Sequence, residues 1–281
     1  DALAARCAEW RATGTEVRML SGAEVRALVP PLRPGVAEIG ILEPGARDID
    51  VDALHQGFLR GAKGAGAAFV LNAELRAAEF GGGRWRLQTG AGEFGARVLV
   101  NASGAWADEV ARIAGIAPLG IRPLRRTAVT FECARFGSPQ AWPMAVNADE
   151  TLYFKADAGR FLASPADQTP TPPCDAQPEE IDVATLLDRL ERETLFEVKR
   201  LTAKWAGLRS FAPDRTPVCG FDPRQAAFFW LAGQGGYGIK TSPALCALAA
   251  AVILGRPLPA ALGDEGGDPA VLSPARLRGG A

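Results

Sequence analysis

Apolar residues recur along this chain in short β-like runs and longer helical ones, and their order predicts a mixed architecture. Asp1 to Thr13 has helix-favouring composition, and Ser21-Gly22-Ala23-Glu24 has capping-box spacing for a short helix ending before Pro30. Two helices are therefore expected before the first strand. Gly35 to Glu43 reads as extended and closes at Pro44-Gly45, after which Asp50-Val51-Asp52 opens a helix to Ala65 that carries His55. Strands are expected at Ala68 to Leu71, Leu75 to Phe80 and Arg84 to Gln88, the last two joined by Gly81-Gly82-Gly83 as a hairpin.

Glu93 to Val100 alternates before turning apolar and runs into Asn101-Ala102-Ser103-Gly104-Ala105-Trp106, followed by a helical run from Ala107 to Ala114. From Arg122 to Ala163 come short β-rich pieces at Thr127 to Cys133, Met144 to Val146, Leu152 to Lys155 and Phe161 to Ala163, the pattern of an antiparallel sheet. A proline-rich loop spans Gln168 to Pro178. An amphipathic helix from Glu179 to Thr194 is expected to cover one face of that sheet, before a strand from Lys204 to Phe211.

The most informative stretch is Gly233-Gln234-Gly235-Gly236-Tyr237-Gly238-Ile239-Lys240, with an apolar run (Ala226 to Ala232) before it and a helical run (Ala244 to Leu254) after it. Glycines let a backbone approach a ligand closely, and the first turn of a helix offers unpaired N–H groups and partial positive charge. An electron-rich group is expected there. The spacing is G-x-G-G-x-G rather than G-x-G-x-x-G, and the next acidic residue is Asp264, where a ribose-binding carboxylate would lie about 20 residues on. It is not a first dinucleotide-phosphate loop.

The 281 residues are 48% hydrophobic, enough for one large or two interleaved domains. A formal net charge of −1 without a long basic block argues against a nucleic-acid partner. The longest apolar stretch, Ala244 to Leu254, is short of the roughly 20 residues of a membrane span. Five scattered cysteines, never in C-x-x-C, argue against a disulfide framework and a zinc site and favour a reducing cytoplasm. With His55 the only histidine, a histidine triad or a multi-histidine metal site is nearly excluded, and no metal is expected. His55 itself is expected to be a surface or packing residue. The chain has no initiator methionine and opens in helix, as a fragment would.

Three segments together resemble the FAD-dependent D-amino acid oxidase and dehydrogenase (DAO) family, which includes glycine and sarcosine oxidases. They are Val100 to Trp106, Gly207-Leu208-Arg209-Ser210-Phe211-Ala212-Pro213-Asp214, and the glycine loop. Within the family the likeness is greatest to the D-arginine dehydrogenases; it includes Leu54 to Gly61, Trp142-Pro143-Met144 and Tyr153 with Lys155, and runs from about Pro34 onward. The resemblance implies α/β plus α+β architecture: a Rossmann-like FAD-binding domain interleaved with an antiparallel-sheet substrate domain. The implied partition is 1–47 substrate, 48–119 FAD-binding, 120–205 substrate and 206–281 FAD-binding. Family members begin with a βαβ unit bearing G-x-G-x-x-G, absent here, so a truncated chain that binds FAD poorly by itself is expected.

The resemblance also assigns roles. Gly235, Gly236, Tyr237, Gly238, Ile239 and Lys240 would face the flavin with backbone N–H groups and the helix dipole; Lys240 stands where the dehydrogenases carry glutamine. Gly104, Ala105 and Trp106 would approach FAD from another side, and backbone atoms of Leu75 would meet the adenine, although Trp106 and Leu75 also suit ordinary core packing. Arg126 and Arg209, both in predicted strands, would grip the substrate α-carboxylate, which a planar guanidinium holds with two parallel bonds. Arg125, beside Arg126, suits a solvated surface. Tyr153 would reach the carboxylate, Met144 and Val146 would wall the pocket, and the Gly236 carbonyl would accept the substrate amine. The implied reaction passes Cα–H of a D-amino acid as hydride to flavin N5, and the imine hydrolyses to a 2-oxo acid and ammonia. The partners would be a small-molecule amino-acid substrate and an unidentified electron acceptor. A glycine- or sarcosine-type oxidase of the same fold, and a non-catalytic remnant, are the alternatives.

Overall fold

A computed structural model describes residues 2–136, 142–264 and 268–278. Helix α1 (Ala2–Ala12) is followed by a short strand, β1 (Arg18–Ser21), before α2 (Gly22–Leu28). The expectation of two helices ahead of any strand is thereby corrected. Arg18 to Ser21 has no alternating apolar pattern, and it is a strand because it pairs antiparallel with β2 (Ile39–Leu42), Arg18 opposite Leu42. The capping box does form: Glu24 N–H donates to Ser21 Oγ, and the Glu24 carboxylate accepts from Ser21 N–H at 2.8 Å. Asp50 caps α3 (Val51–Gly64) by accepting from Ala53 N–H.

Ala68 to Leu71 pairs with no strand among the described residues, contrary to its β-like composition, and the segment is exposed. β-propensity becomes a strand only when an edge is available to complete the ladder. Strands β3 (Leu75–Gly81), β4 (Arg84–Thr89) and β5 (Gly92–Ala96) form an antiparallel meander. The β3–β4 turn is Gly82-Gly83, both at positive φ (59° and 75°), which a two-residue hairpin loop of this hand requires. The single run expected from Glu93 to Val100 is broken at Arg97-Val98, and β6 (Leu99–Asn101) leaves for a different sheet. β5 completes the meander beside β4, whereas β6 pairs with β14, so the chain changes sheets at Arg97-Val98.

A 3-10 turn (Gly104–Trp106) leads into α4 (Ala107–Ile113), then come β7 (Arg122–Phe131), β8 (Ala145–Val146), β9 (Tyr153–Asp157), β10 (Arg160–Ser164) and β11 (Thr169–Pro170). Helix α5 (Glu180–Glu193) precedes β12 (Leu201–Phe211), β13 (Val218–Asp222) and β14 (Gln225–Ala232). Helix α6 (Gly238–Leu254) is followed by α7 (Ala260–Asp264), α8 (Pro269–Leu272) and a 3-10 turn at Pro274–Leu277. Pro243 sits inside α6; the Ile239 carbonyl that its missing N–H would have served accepts instead from the Ser242 hydroxyl at 2.9 Å.

The chain divides into two compact units, one built from Asp1–Asp48, Arg125–Thr169 and Asp175–Gly207, the other from Ile49–Leu124, Pro170–Cys174 and Leu208–Ala281. In the first unit β7, β10, β9 and β8 form an antiparallel sheet. One face of it presents Val129, Phe131, Phe154 and Phe161 to Val183, Leu186 and Leu190 of α5, with Phe196 wedged among the rings. In the second unit β13, β14 and β6 form a sheet in which β6 and β14 are parallel. Trp85 joins the meander to this sheet: it is buried against Phe228 and donates its indole N–H to the Ala227 carbonyl at 2.8 Å. Helix α6 packs Leu245, Leu248 and Ala249 on Cys219 and Phe229.

Candidate functional site

In the second unit, β6 and β14 run in the same direction, with Val100 opposite Phe229 and Asn101 opposite Trp230. Parallel strands bring their C-terminal ends to one edge, and ligands of open α/β sheets sit outside that edge. Both expected loops leave from it. After β6, Asn101 is buried and ties the turn together: its Nδ2 donates to the Ala107 carbonyl at 2.8 Å and its Oδ1 accepts from the Ser103 hydroxyl at 2.7 Å. Gly104 then takes φ 60°, Ala105 is buried, and Trp106 is 43% exposed rather than packed in the core.

After β14, the loop Gly233 to Tyr237 doubles back along β12. Phe211 and Gln234 form an antiparallel bridge, and Gly235 N–H donates to the Ser210 carbonyl at 2.8 Å, so Gly236 falls beside Arg209. What a Cβ at each of these two glycines would meet differs. A Cβ on Gly235, where φ is 54°, would overlap Phe211 Cε1 and lie 2.7 Å from Cδ1; a Cβ on Gly236 would lie 3.0 Å from an Arg209 guanidinium nitrogen. Tyr237 N–H donates to the Gln234 carbonyl, and α6 starts at Gly238. Tyr237, Ile239 and Lys240 are exposed, and Lys240 Nζ stands 4.9 Å over the Tyr237 ring. Arg209 and Gly236 are thus brought together, while Leu75 lies half-buried at the start of β3, opposite Thr89 and packed against the unit's core.

In the first unit, the other face of the sheet carries the remaining candidates. Register places Val146 opposite Tyr153, Tyr153 opposite Ser164, Lys155 opposite Leu162 and Leu162 opposite Thr130. Alternation along β7 then puts Arg126 on the same face as Thr130. Arg126 Cζ lies 6.0 Å from the Tyr153 ring centroid, and its Nε donates to the Asp167 carbonyl at 2.8 Å, which fixes the plane of the guanidinium. The Asp167 carboxylate meanwhile accepts from Thr127 N–H. Tyr153 is half-buried, and Met144 and Val146 are exposed. Lys155 pairs with Asp48 at 2.7 Å and with Asp157 at 3.4 Å; burial works to lower its pKa, but the two carboxylates raise it above the ordinary lysine value.

Arg125 corrects the expectation of a solvated neighbour. It points to the α5 face, is buried, and pairs with Glu179 and with Asp182 at 2.9 Å. Its burial is offset by these bonds, and the guanidinium pKa rises. His55 is exposed on α3, and all five thiols are free. Cys219 is pushed up to about 11 by burial, with Cys246 adding to the effect. Among the described residues no group of three or more His, Cys, Asp or Glu is placed to hold a metal ion, and no helix is long and apolar enough to cross a membrane.

A cleft of about 410 Å³ is lined by Phe80, Trp85, Ile116, Asp222, Arg224 and Gln225. It lies at the start of β14, the end away from the glycine loop, and Asp222 there is occupied by Trp230, Arg224 N–H and Arg278. Phe211 and Asn101 stand inside the recognisable segments yet drew no role from sequence. A glycine pair that must avoid something implies a bulky neighbour, but which neighbour is a tertiary fact.

A model of the family described as DAO, FAD dependent oxidoreductase, matches residues 1–252. Glycine oxidase of Geobacillus kaustophilus (strain HTA426) is 27% identical over 236 residues, covering 83% of this chain and 61% of that protein. The uncharacterized oxidoreductase YurR of Bacillus subtilis (strain 168) is 25% identical, covering 86% and 64%. The chain therefore spans less than two thirds of the length of these curated relatives. The crystal structure of the G. kaustophilus glycine oxidase superposes with a TM-score of 0.76 at 25% identity, covering 91% of this chain and 67% of that one. L-proline dehydrogenase from P. horikoshii shares the fold, with a TM-score of 0.76 at 20% identity over 94% and 70%.

Proposed function

Because the chain belongs to the FAD dependent oxidoreductase (DAO) family, we propose that it oxidises the Cα–N bond of a free amino acid, with D-amino acids of a broad, D-arginine-like range as its substrates. The observation that carries this reading is Arg209 held against Gly236 at the strand edge from which the glycine loop leaves. That edge fits FAD: Gly235 and Gly236 put no side chain on the loop, Phe211 leaves no room for one at Gly235, and the loop ends in the first turn of a 17-residue helix. Gly235 to Lys240 and Gly104 to Trp106 would hold the cofactor, with the Leu75 backbone at its adenine end. FAD, when bound, supplies the acceptor for the hydride that leaves Cα.

The chain's own groups do the rest. Arg126, with Tyr153 donating its hydroxyl, is assigned to the α-carboxylate, and Arg209 is assigned to the same group by the family resemblance. The Gly236 carbonyl accepts from the substrate amine. Met144 and Val146 offer apolar surface to the substrate side chain, and Lys240 with the N–H groups of α6 adds positive potential. The imine product hydrolyses in water to a 2-oxo acid and ammonia.

A second reading, a glycine-type oxidase, is favoured by the G. kaustophilus relative. Anaerobic addition of D-arginine, D-methionine, glycine and sarcosine to the purified flavoprotein separates the two. Bleaching of the visible flavin bands by the D-amino acids supports the first reading, and bleaching by glycine and sarcosine alone supports the second. A protein that takes up no FAD even when produced with any in-frame upstream coding sequence sinks both.

A further inference from the structure

Phe211 does more than fill space under the loop. Its ring is buried, and its Cε1, Cδ1 and Cζ edge occupies the position a Gly235 side chain would take. The Arg215 guanidinium carbon stacks 4.1 Å from the centroid of the same ring. Arg215 has φ 62°, a conformation that most residues avoid and that a turn must impose. The turn is imposed from far along the chain. Arg276 donates from Nε to Asp214 at 2.7 Å and from Nη2 both to the other Asp214 oxygen at 3.3 Å and to the Thr216 carbonyl at 2.7 Å. Asp214 in turn accepts from Thr216 N–H at 3.0 Å, and Arg215 N–H donates to the Ala212 carbonyl at 2.9 Å.

We infer that Phe211 is a positioning residue for the Gly235-Gly236 backbone and the adjoining Arg209, and that Arg276, acting through Asp214 and Arg215, holds Phe211 in place. The chain of contacts is continuous and lies within one unit: Arg276 to Asp214, the 212–216 turn to Arg215, the Arg215 guanidinium to the Phe211 ring, and the ring edge to Gly235. A loop made of glycines has little stiffness of its own, so its position is set by the surface it lies on. The inference rests on the proposed flavin reading only for what the loop serves.

Hydrogen exchange of the 230–240 segment, measured without added FAD, tests the positioning directly. Phe211→Leu and Arg276→Ala are expected to speed exchange at Gly235, whose N–H is bonded to Ser210, by on the order of tenfold, while Arg276→Lys retains part of the protection. A second test keeps the inference falsifiable if Phe211→Leu loosens the whole unit. Gly235→Ala should slow FAD-dependent amino-acid oxidation and raise KM in the parent, and should do so several-fold less in the Phe211→Leu background, where the collision is relieved. Unchanged exchange at Gly235 in Phe211→Leu and Arg276→Ala, or a Gly235→Ala penalty of the same size in both backgrounds, overturns the inference. Faster exchange supports the positioning chain whether or not the protein takes up FAD, so failure of the flavin reading would leave this inference standing.

Discussion

The two units carry their candidate chemistry in opposite ways. On the sheet of the first unit the proposed working groups are side chains, Arg126 and Tyr153, raised on a strand face whose reverse is a packed aromatic core. At the strand edge of the second unit they are backbone groups of a glycine loop that leans on Phe211 and Arg209. A side-chain site fails when its own residue is changed and tolerates its neighbours. A backbone site fails when any atom is added to it, and it inherits its geometry from the side chains packed beneath it.

The sharpest way to break this comparison is to add atoms to the loop. Gly235→Val should abolish FAD uptake, read as loss of visible absorbance in the purified protein, because the Cβ overlaps the Phe211 ring and a β-branched residue resists φ 54°. On the sheet, neighbouring arginines should separate function from stability. Arg126→Met should lower kcat/KM for an amino acid by about 100-fold or more with little change in melting temperature, since a charge-assisted carboxylate contact is lost. Arg125→Met should leave kcat/KM nearly intact and destabilise the fold by about 1–3 kcal/mol, because the half-buried Asp182 loses its ionic partner. Equal losses of activity in both variants would remove the distinction between the two faces.

Smaller effects refine the picture. Asn101→Ala should reduce stability by about 1–3 kcal/mol in a denaturant titration, as the Ala107 carbonyl loses a buried donor. Acid should loosen the C-terminal clasp. Bonding from Arg276 lowers the Asp214 pKa; burial would raise that of Asp222, but bonds from Arg224 N–H, Trp230 and Arg278 bring it below the ordinary value. Both carboxylates have folded values below the unfolded one, so their contribution is complete above the ordinary carboxylate pKa of about 4 and is lost as pH falls through the folded values. Stability followed from pH 6 to pH 2 should fall in that lower range, and less so in Asp214→Asn. Lys240→Gln should change kcat by less than about tenfold, since the exposed ammonium acts through solvent.

Much of the second unit's loop region was legible from local chemistry. Strand, glycine loop and helix appear in order as β14, Gly233 to Tyr237 and α6, and the hairpin at Gly82-Gly83 follows from its turn residues. Local pattern failed where pairing decides. Arg18 to Ser21 lacks alternation but finds an edge in β2, whereas Ala68 to Leu71 looks β-like and finds none among the described residues. The break between β5 and β6 likewise depends on a partner, β14, more than 120 residues away.

By itself the sequence determined the elements whose signals lie within a few residues of one another: caps, turns, amphipathic helices, and the glycine loop that leads into α6. Tertiary structure decided everything that depends on which distant segments meet. It put Arg126 and Arg125 on opposite faces, laid Gly235 on Phe211, and tied Arg276 to the turn beneath them. The reason is physical: dihedral preferences and hydrogen bonds to near neighbours act locally, while excluded volume and buried charge act between residues that only folding brings together.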